Sequence, residues 1–203
     1  MNEEMLFRIV FWVFLLLVII FNRIIPALQA KKSEEKLLPD KEAIKKEGKT
    51  TFVLRIVLFL LLLTFLILYS IYPPFMTSLH LDLPIWLRWV GTALAFIGVI
   101  FWIYSQSILG KYWTPQLQIQ NKHRLITSGP YRVIRHPIYT AMFIWVIGLA
   151  LFTANMVFAL LALLTIIGLI LRVPKEEKMM IGQFGDEYRK YIQITGRFFP
   201  KFR

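Results

Sequence analysis

Two short stretches of this 203-residue chain concentrate the side chains able to do chemistry. The first reads His123-Arg124-Leu125-Ile126-Thr127-Ser128-Gly129-Pro130-Tyr131-Arg132-Val133-Ile134-Arg135-His136-Pro137-Ile138-Tyr139, crowded with cations, imidazoles and hydroxyls and without a carboxylate. Such a run suits an anionic group, because hydrogen bonds from Arg or protonated His to a carboxylate are the strong, short ones. The second, Arg172-Val173-Pro174-Lys175-Glu176-Glu177, follows directly on an apolar run and brings the nearest carboxylates for a cationic partner. Together they fit a zwitterionic or cationic cofactor. Arg132, Arg135 and His136 would equally anchor a helix at lipid headgroups. Glu176 and Glu177, just past Pro174, would equally be favourable charge at the start of a new helix.

Several chemistries are excluded. No Gly-x-Gly-x-x-Gly follows a strand pattern, and no Gly-Lys-Ser/Thr loop or Gly-x-Ser-x-Gly elbow is present, so soluble-type nucleotide folds are out. With no cysteine there is no disulfide framework, thiolate zinc site or cysteine nucleophile. Three histidines leave little room for a metal, His80 and Asp82 lack a third ligand, and no metal is expected.

Membrane helices must position the two stretches. The chain is 57% hydrophobic and 15% aromatic, with a mean hydropathy of +0.60. Met5 to Ile25, Phe52 to Tyr72 and Ile85 to Leu109 are each long enough to cross roughly 30 Å of hydrocarbon. Ile138 to Thr153 and Met156 to Leu171, parted only by Ala154 and Asn155, predict a tight helical hairpin. Gly91 and Gly98 predict close helix contact. Arg8, Arg55 and Arg88 lie near helix ends, where snorkelling is the expected role. The first run does not read as a cleavable signal, because acidic Glu3 and Glu4 precede a long apolar core.

Charge sets the orientation. Of 24 Lys and Arg, eight fall between Arg23 and Lys49, five between Lys111 and Arg135 and eight between Arg172 and Arg203, whereas Pro73 to Pro84 has none. The positive-inside rule then predicts an all-α integral membrane protein with five transmembrane helices, its N-terminus outside and its C-terminus cytoplasmic. Residues 1–109 hold three helices and a charged cytoplasmic loop at 26–51. Residues 110–203 hold the chemical part, with the hairpin at 138–171 and a C-terminal cytoplasmic helix. The hairpin brings the two reactive stretches together at the cytoplasmic face. Basic residues placed by the membrane rule do not mark nucleic acid as a partner.

The ordered arrangement Gly129-Pro130-Tyr131, Arg135-His136-Pro137-x-Tyr139, a hairpin, Arg172-x-x-x-Glu176-Glu177 and Phe184-Gly185-x-Glu187-Tyr188 resembles the isoprenylcysteine carboxyl methyltransferases, within the membrane phospholipid methyltransferase-like superfamily. The resemblance covers roughly Gln116 to Pro200. It implies S-adenosylmethionine as cofactor, held by Gln118, by His123, Arg124, Leu125 and Ile126, by Tyr131, by His136, Pro137, Ile138 and Tyr139, and by Glu176. Gln116 is the alternative to Gln118. It implies that Arg172 faces a lipophilic methyl acceptor of the prenylcysteine or lipid type, and that Arg172 and Glu176 are the catalytic pair. The expected location is the cell membrane in a prokaryote or the endoplasmic reticulum membrane in a eukaryote.

Methyl transfer from a sulfonium asks for alignment and water exclusion more than for acid or base work. A carboxylate acceptor is already ionised and needs a fixed cation, which Arg172 can supply in bidentate form. A phospholipid amine acceptor would need a base, with Glu176, Glu177 and His136 as candidates. Sterol reductases that use NADPH carry a similar Arg-His-Pro-x-Tyr, and a non-enzymatic membrane scaffold would use the basic loops for topology alone. Glu176 suits the cofactor's ammonium or ribose, and the acceptor is expected to arrive from lipid through a gap between helices.

Overall fold

Helices account for the architecture of the computed structural model, which describes residues 3–20, 49–71, 74–110 and 125–201. The elements are α1 (Glu3–Ile19), α2 (Lys49–Ile71), a 3-10 turn (Pro74–Leu79), α3 (Ile85–Leu109), a second 3-10 turn (Gly129–Arg132), α4 (Pro137–Thr153), α5 (Met156–Phe184) and α6 (Asp186–Ile194). No strand occurs among the described residues; two isolated bridges join His80 to Asn155 and Ile134 to Gly196. Gln116, Gln118, His123, Arg124 and most of the charged loop at 26–51 lie outside the described residues.

Three described helices are long and apolar enough to cross a membrane: Phe52–Ile71 within α2, then α3 and α5. α1 and α4 are also apolar, but at 17 residues each they reach only about 25 Å. α5 differs most from expectation. It does not stop at Leu171 but runs unbroken for 29 residues through Pro174, about 43 Å against roughly 30 Å of hydrocarbon. Its apolar part ends at Leu171, and 172–184 form a polar extension. Glu176 and Glu177 therefore lie within a helix and do not open a new one, because flanking residues continue the helix past the single hydrogen bond that Pro174 cannot donate.

The hairpin turns within two residues. Ala154 takes a left-handed conformation (φ 47°) and its N–H donates to the Ala150 carbonyl, while the Asn155 side chain accepts from the Val157 N–H at 3.0 Å. Leu81 N–H donates to the Ala154 carbonyl at 2.7 Å, tying the preceding loop to the same end. The aromatic core behind this end is Phe7 and Phe11 of α1, Tyr69 of α2, Phe152 of α4 and Phe158 of α5, all buried.

Arg88 corrects the snorkelling expectation. It is only 5% exposed. Its Nη1 and Nη2 engage both carboxylate oxygens of Glu4, the second at 3.2 Å, and its Nε donates to the Phe152 carbonyl at 3.2 Å. Its guanidinium carbon lies 3.9 Å from the centre of the Phe7 ring. A cation among these partners is satisfied without reaching water.

α3 and α4 pack nearly backbone to backbone. A Cβ added at Gly91 would sit 2.6 Å from Phe152 N, and one at Gly98 2.6 Å from Trp145 N. A Cβ at Gly148 would overlap Ala95 N and lie 2.8 Å from the Gly91 carbonyl oxygen. The predicted contact through Gly91 and Gly98 is present, with Gly148 as its counterpart on α4.

Candidate active site

The site assembles at the end of α4 and α5 remote from the hairpin turn, because Pro137 opens α4 there and α5 overshoots its apolar part. Pro at the first helical position removes a backbone N–H that would lack a partner in any case, so the chain enters α4 directly after His136. Arg172 and Glu176 are one turn apart on α5, with Nε donating to Oε1 at 2.7 Å. The Tyr139 hydroxyl, from α4, donates to that same oxygen. His136 stacks on Tyr139 (5.5 Å between ring centres, 15° between planes), and its Nδ1 lies 3.6 Å from the second oxygen of Glu176. Three residues named from the sequence thus converge on the carboxylate of a fourth, Glu176.

Glu177, one residue on, serves a different set. Arg135 Nε donates to its Oε1 at 3.1 Å, and Arg197 donates to Oε1 at 3.3 Å and to Oε2 at 2.6 Å. His136 Nε2 is 3.5 Å from Oε1. Burial alone would raise the Glu177 carboxyl, but the contacts with His136, Arg197 and Arg135 outweigh it and hold it at about 2.

The C-terminal residues complete the frame. Gly196 N–H donates to the Val133 carbonyl at 3.0 Å, Arg135 N–H to the Gly196 carbonyl at 2.9 Å and His136 N–H to the Arg197 carbonyl at 3.0 Å. Arg135 Nη1 also donates to the carbonyls of Ile192, at 3.2 Å, and Thr195. Tyr191 donates its hydroxyl to the Tyr131 carbonyl at 2.6 Å. Gly185, at φ 54°, ends α5 and lets α6 turn back against this frame.

Sequence reasoning named Arg172, Glu176, Tyr131, His136, Pro137, Ile138 and Tyr139, and the structure gathers Arg172, Glu176, His136 and Tyr139 into direct contact. Tyr131 is buried, its hydroxyl without a hydrogen-bond partner and its phenol pushed far up by burial. Leu125 packs into a core cluster with Tyr188 and Tyr191, and Ile126 is half-buried. Glu177, a base candidate from the sequence, and Arg197, which the sequence reading did not single out, also join this frame. The available signal was Arg197 placed in a terminal segment together with Gly196, where a Cβ would overlap the Phe199 carbonyl oxygen. Among the described residues no group of three or more His, Asp or Glu side chains is placed to hold a metal ion.

The sequence and the fold have relatives. The model of the isoprenylcysteine carboxyl methyltransferase (ICMT) family matches residues 90–182. A probable protein-S-isoprenylcysteine O-methyltransferase of Oryza sativa subsp. indica is 31% identical over 108 residues, covering 52% of this chain and 56% of that protein. The nickel-cobalt-cadmium resistance protein NccN of Alcaligenes xylosoxydans xylosoxydans is 25% identical over 114 residues, 56% of this chain and 53% of that protein. The chain spans about half the length of the curated relatives it matches. A solved structure of a eukaryotic intramembrane Ras methyltransferase, ICMT, shares the fold with a TM-score of 0.53 at 22% identity, over 81% of this chain and 54% of that one. The stretch similar to the isoprenylcysteine carboxyl methyltransferase family, residues 90–182, thus runs from α3 through His136 and Tyr139 to Arg172, Glu176 and Glu177.

Proposed function

We propose that this chain is an S-adenosylmethionine-dependent integral membrane methyltransferase that O-methylates the carboxylate of a prenylcysteine or similar lipophilic acid at the cytoplasmic membrane face. The observation that carries the reading is the Arg172–Glu176–Tyr139–His136 cluster, set where the apolar part of α5 gives way to its polar extension. A lipid-borne anion and a water-soluble zwitterion can both reach that depth.

The donor set fits such a cofactor. Carboxylates and cations alternate within a few ångströms, and the buried His136 Nε2 among them has no hydrogen-bond partner. Glu176 is the group for the cofactor's ammonium or ribose. The segment at Gln118 (or Gln116) and His123 to Ile126 lies just ahead of Tyr131 in the chain and is the group for the rest, with Tyr131 and His136 to Tyr139. S-adenosylmethionine, when bound, supplies an electrophilic methyl group on a sulfonium.

The chain's own work is positional. Arg172 is fixed through Nε by Glu176, which holds its planar guanidinium in one orientation and suits it to seat an acceptor carboxylate in bidentate fashion. Tyr139 and His136 hold Glu176 from the other side, so that its charge is divided between Arg172 and the cofactor. Five crossings, with the N-terminus outside and the site inside, complete the proposed topology, by the charge bias of the loops.

The test is incubation of the purified full chain with methyl-labelled S-adenosylmethionine and a panel of S-prenylated cysteines, lipophilic acids and phospholipid amines. Base-labile label on carboxylates alone is expected. Label on amines alone would overturn the role of Arg172. NADPH binding without S-adenosylmethionine binding would mark a reductase, and binding of neither a scaffold.

A further inference from the structure

We infer that the C-terminal strap, residues 195–198, is part of the active site, with Arg197 as a positioning residue that acts through Glu177 to fix the His136 imidazole. The strap lies beyond the residues that the family model matches. The inference deepens the methyltransferase reading and rests on it only in the activity arm of its test.

Two layers of contact support it. Along the backbone, the strap runs parallel to residues 133–136, as the Ile134–Gly196 bridge records, and the His136 N–H donates to the Arg197 carbonyl at 3.0 Å. Thr140, in the first turn of α4, donates its hydroxyl to the Phe198 carbonyl at 2.6 Å. Strap and helix entrance are therefore tied together through backbone and side-chain hydrogen bonds. In the side chains, the imidazole is enclosed by strap and helices together: Tyr139 stacks on it, the Phe198 ring centre lies 6.2 Å away at 50°, Glu176 faces Nδ1 and Glu177 faces Nε2.

Arg197 decides how Glu177 stands. Its guanidinium takes both carboxylate oxygens, and Arg135 takes Oε1 as well, so the carboxylate plane is held between two cations. In that orientation Oε1 of Glu177 stays 3.5 Å from His136 Nε2 while Glu176 lies 3.6 Å from Nδ1, so the imidazole is held between the two carboxylates. Without Arg197, Oε2 loses its partner, and Glu177, held at Oε1 by Arg135 alone, no longer fixes the imidazole from the Nε2 side. Glu176 then loses one of its supports. Arg197 is half-exposed, at 48%, so its removal opens no cavity in the core.

The test compares Arg197→Ala and Arg197→Lys with the unaltered full chain in detergent micelles. The first readout is the rate at which diethyl pyrocarbonate modifies His136, followed by peptide mass spectrometry without cofactor and with His80 as internal reference. Arg197→Ala is expected to raise that rate about fivefold and Arg197→Lys to stay within about twofold, since Lys keeps the charge but not the fork. The second readout is methyl transfer, where Arg197→Ala is expected to raise KM for S-adenosylmethionine about tenfold with a smaller change in kcat. A lowered thermal transition with both readouts unchanged would make Arg197 a stabilising residue only and overturn the inference. Phe198→Ala serves if Arg197→Ala does not fold; it leaves the Arg197–Glu177 pair in place and is expected to raise the His136 rate by uncovering one face of the ring, and an unchanged rate there also overturns the inference. Absence of methyl transfer in the unaltered chain would refute the proposed function, while the His136 rates would still decide the role of the strap.

Discussion

Arg172 donates from Nε to Oε1 of Glu176 at 2.7 Å across a single turn of α5, in the stretch of helix that contains Pro174. The pair is oriented because Tyr139 donates to the same oxygen from α4. A charged i,i+4 pair on an open helix is worth a few tenths of a kcal/mol, but here Arg172 and Glu176 are only 11% and 17% exposed, so geometry matters more than strength.

Arg172→Ala is expected to lower kcat/KM for the methyl acceptor about 100-fold, and Arg172→Lys to restore little of it, because an ammonium cannot hold Glu176 and grip a carboxylate in one plane. Initial rates with a labelled methyl group and a lipophilic acid measure this. Equal activity of the Lys variant and the parent chain would refute bidentate seating.

Glu176→Gln keeps the size of the side chain and removes its charge. Binding of S-adenosylmethionine is expected to weaken about tenfold, close to 1.4 kcal/mol. Tyr139→Phe, which removes one donor to the same oxygen, is expected to weaken it by less. Equilibrium binding with labelled cofactor distinguishes the two.

The glycine contacts between α3 and α4 predict a packing phenotype. Gly148→Leu has no room against Ala95 and the Gly91 carbonyl, and is expected to cost about 1–3 kcal/mol or more. Gly182→Ala, in the polar part of α5 with open space around it, is expected to stabilise by about 0.4–1 kcal/mol. Thermal unfolding in one detergent should move in opposite directions for the two variants.

Acid sensitivity follows from Glu177. Its carboxyl is held at about 2 in the fold against 4.5 for the free group, so its stabilising contribution is fully present above about pH 4.5 and is lost as pH falls through 2. The unaltered chain should lose more stability than Glu177→Gln between pH 5 and pH 2, and the gap between their thermal transitions should narrow over that window. A gap that stays constant would contradict the ion-pair origin.

At the opposite end, Glu4→Gln leaves the Arg88 charge buried with the Phe152 carbonyl and the Phe7 ring as its other partners. It is expected to destabilise by about 3 kcal/mol, the range for removing one member of a buried pair. Adding Arg88→Met is expected to recover most of that loss, measured as a double-mutant cycle on thermal stability.

The apolar runs at α2 and α3 were legible in the sequence because length and hydropathy alone define a span, and the hairpin was legible because two runs abut at Ala154 and Asn155. The end of α5 was not. Hydropathy marks where the apolar face stops, at Leu171, whereas the helix is continued by backbone bonds that a change in polarity does not interrupt, and Pro174 breaks only one of them. Arg88 was misread for a related reason: its partner Glu4 is 84 residues away, and local sequence cannot reveal a contact between the starts of two different helices.

Within the site, Arg172, Glu176, His136 and Tyr139 were legible through their order along the chain and their resemblance to a family pattern. The division of labour between neighbouring carboxylates was not, since Glu176 and Glu177 differ only by the turn of a helix, about 100°. That rotation sends Glu176 toward Tyr139 and Arg172 and Glu177 toward Arg135 and Arg197. The role of Gly196 and Arg197 depends on a return of the chain from more than fifty residues away to the entrance of α4, which no periodicity records.

The seam at Gly91, Gly98 and Gly148 also restricts traffic. With backbone against backbone along α3 and α4, that wall of the bundle leaves no slot for an acyl or prenyl tail. α4 meets α5 far less extensively than it meets α3. If the proposed function holds, a hydrocarbon chain whose head reaches Arg172 does so elsewhere than through that seam, which gives the bundle one flank closed to lipid.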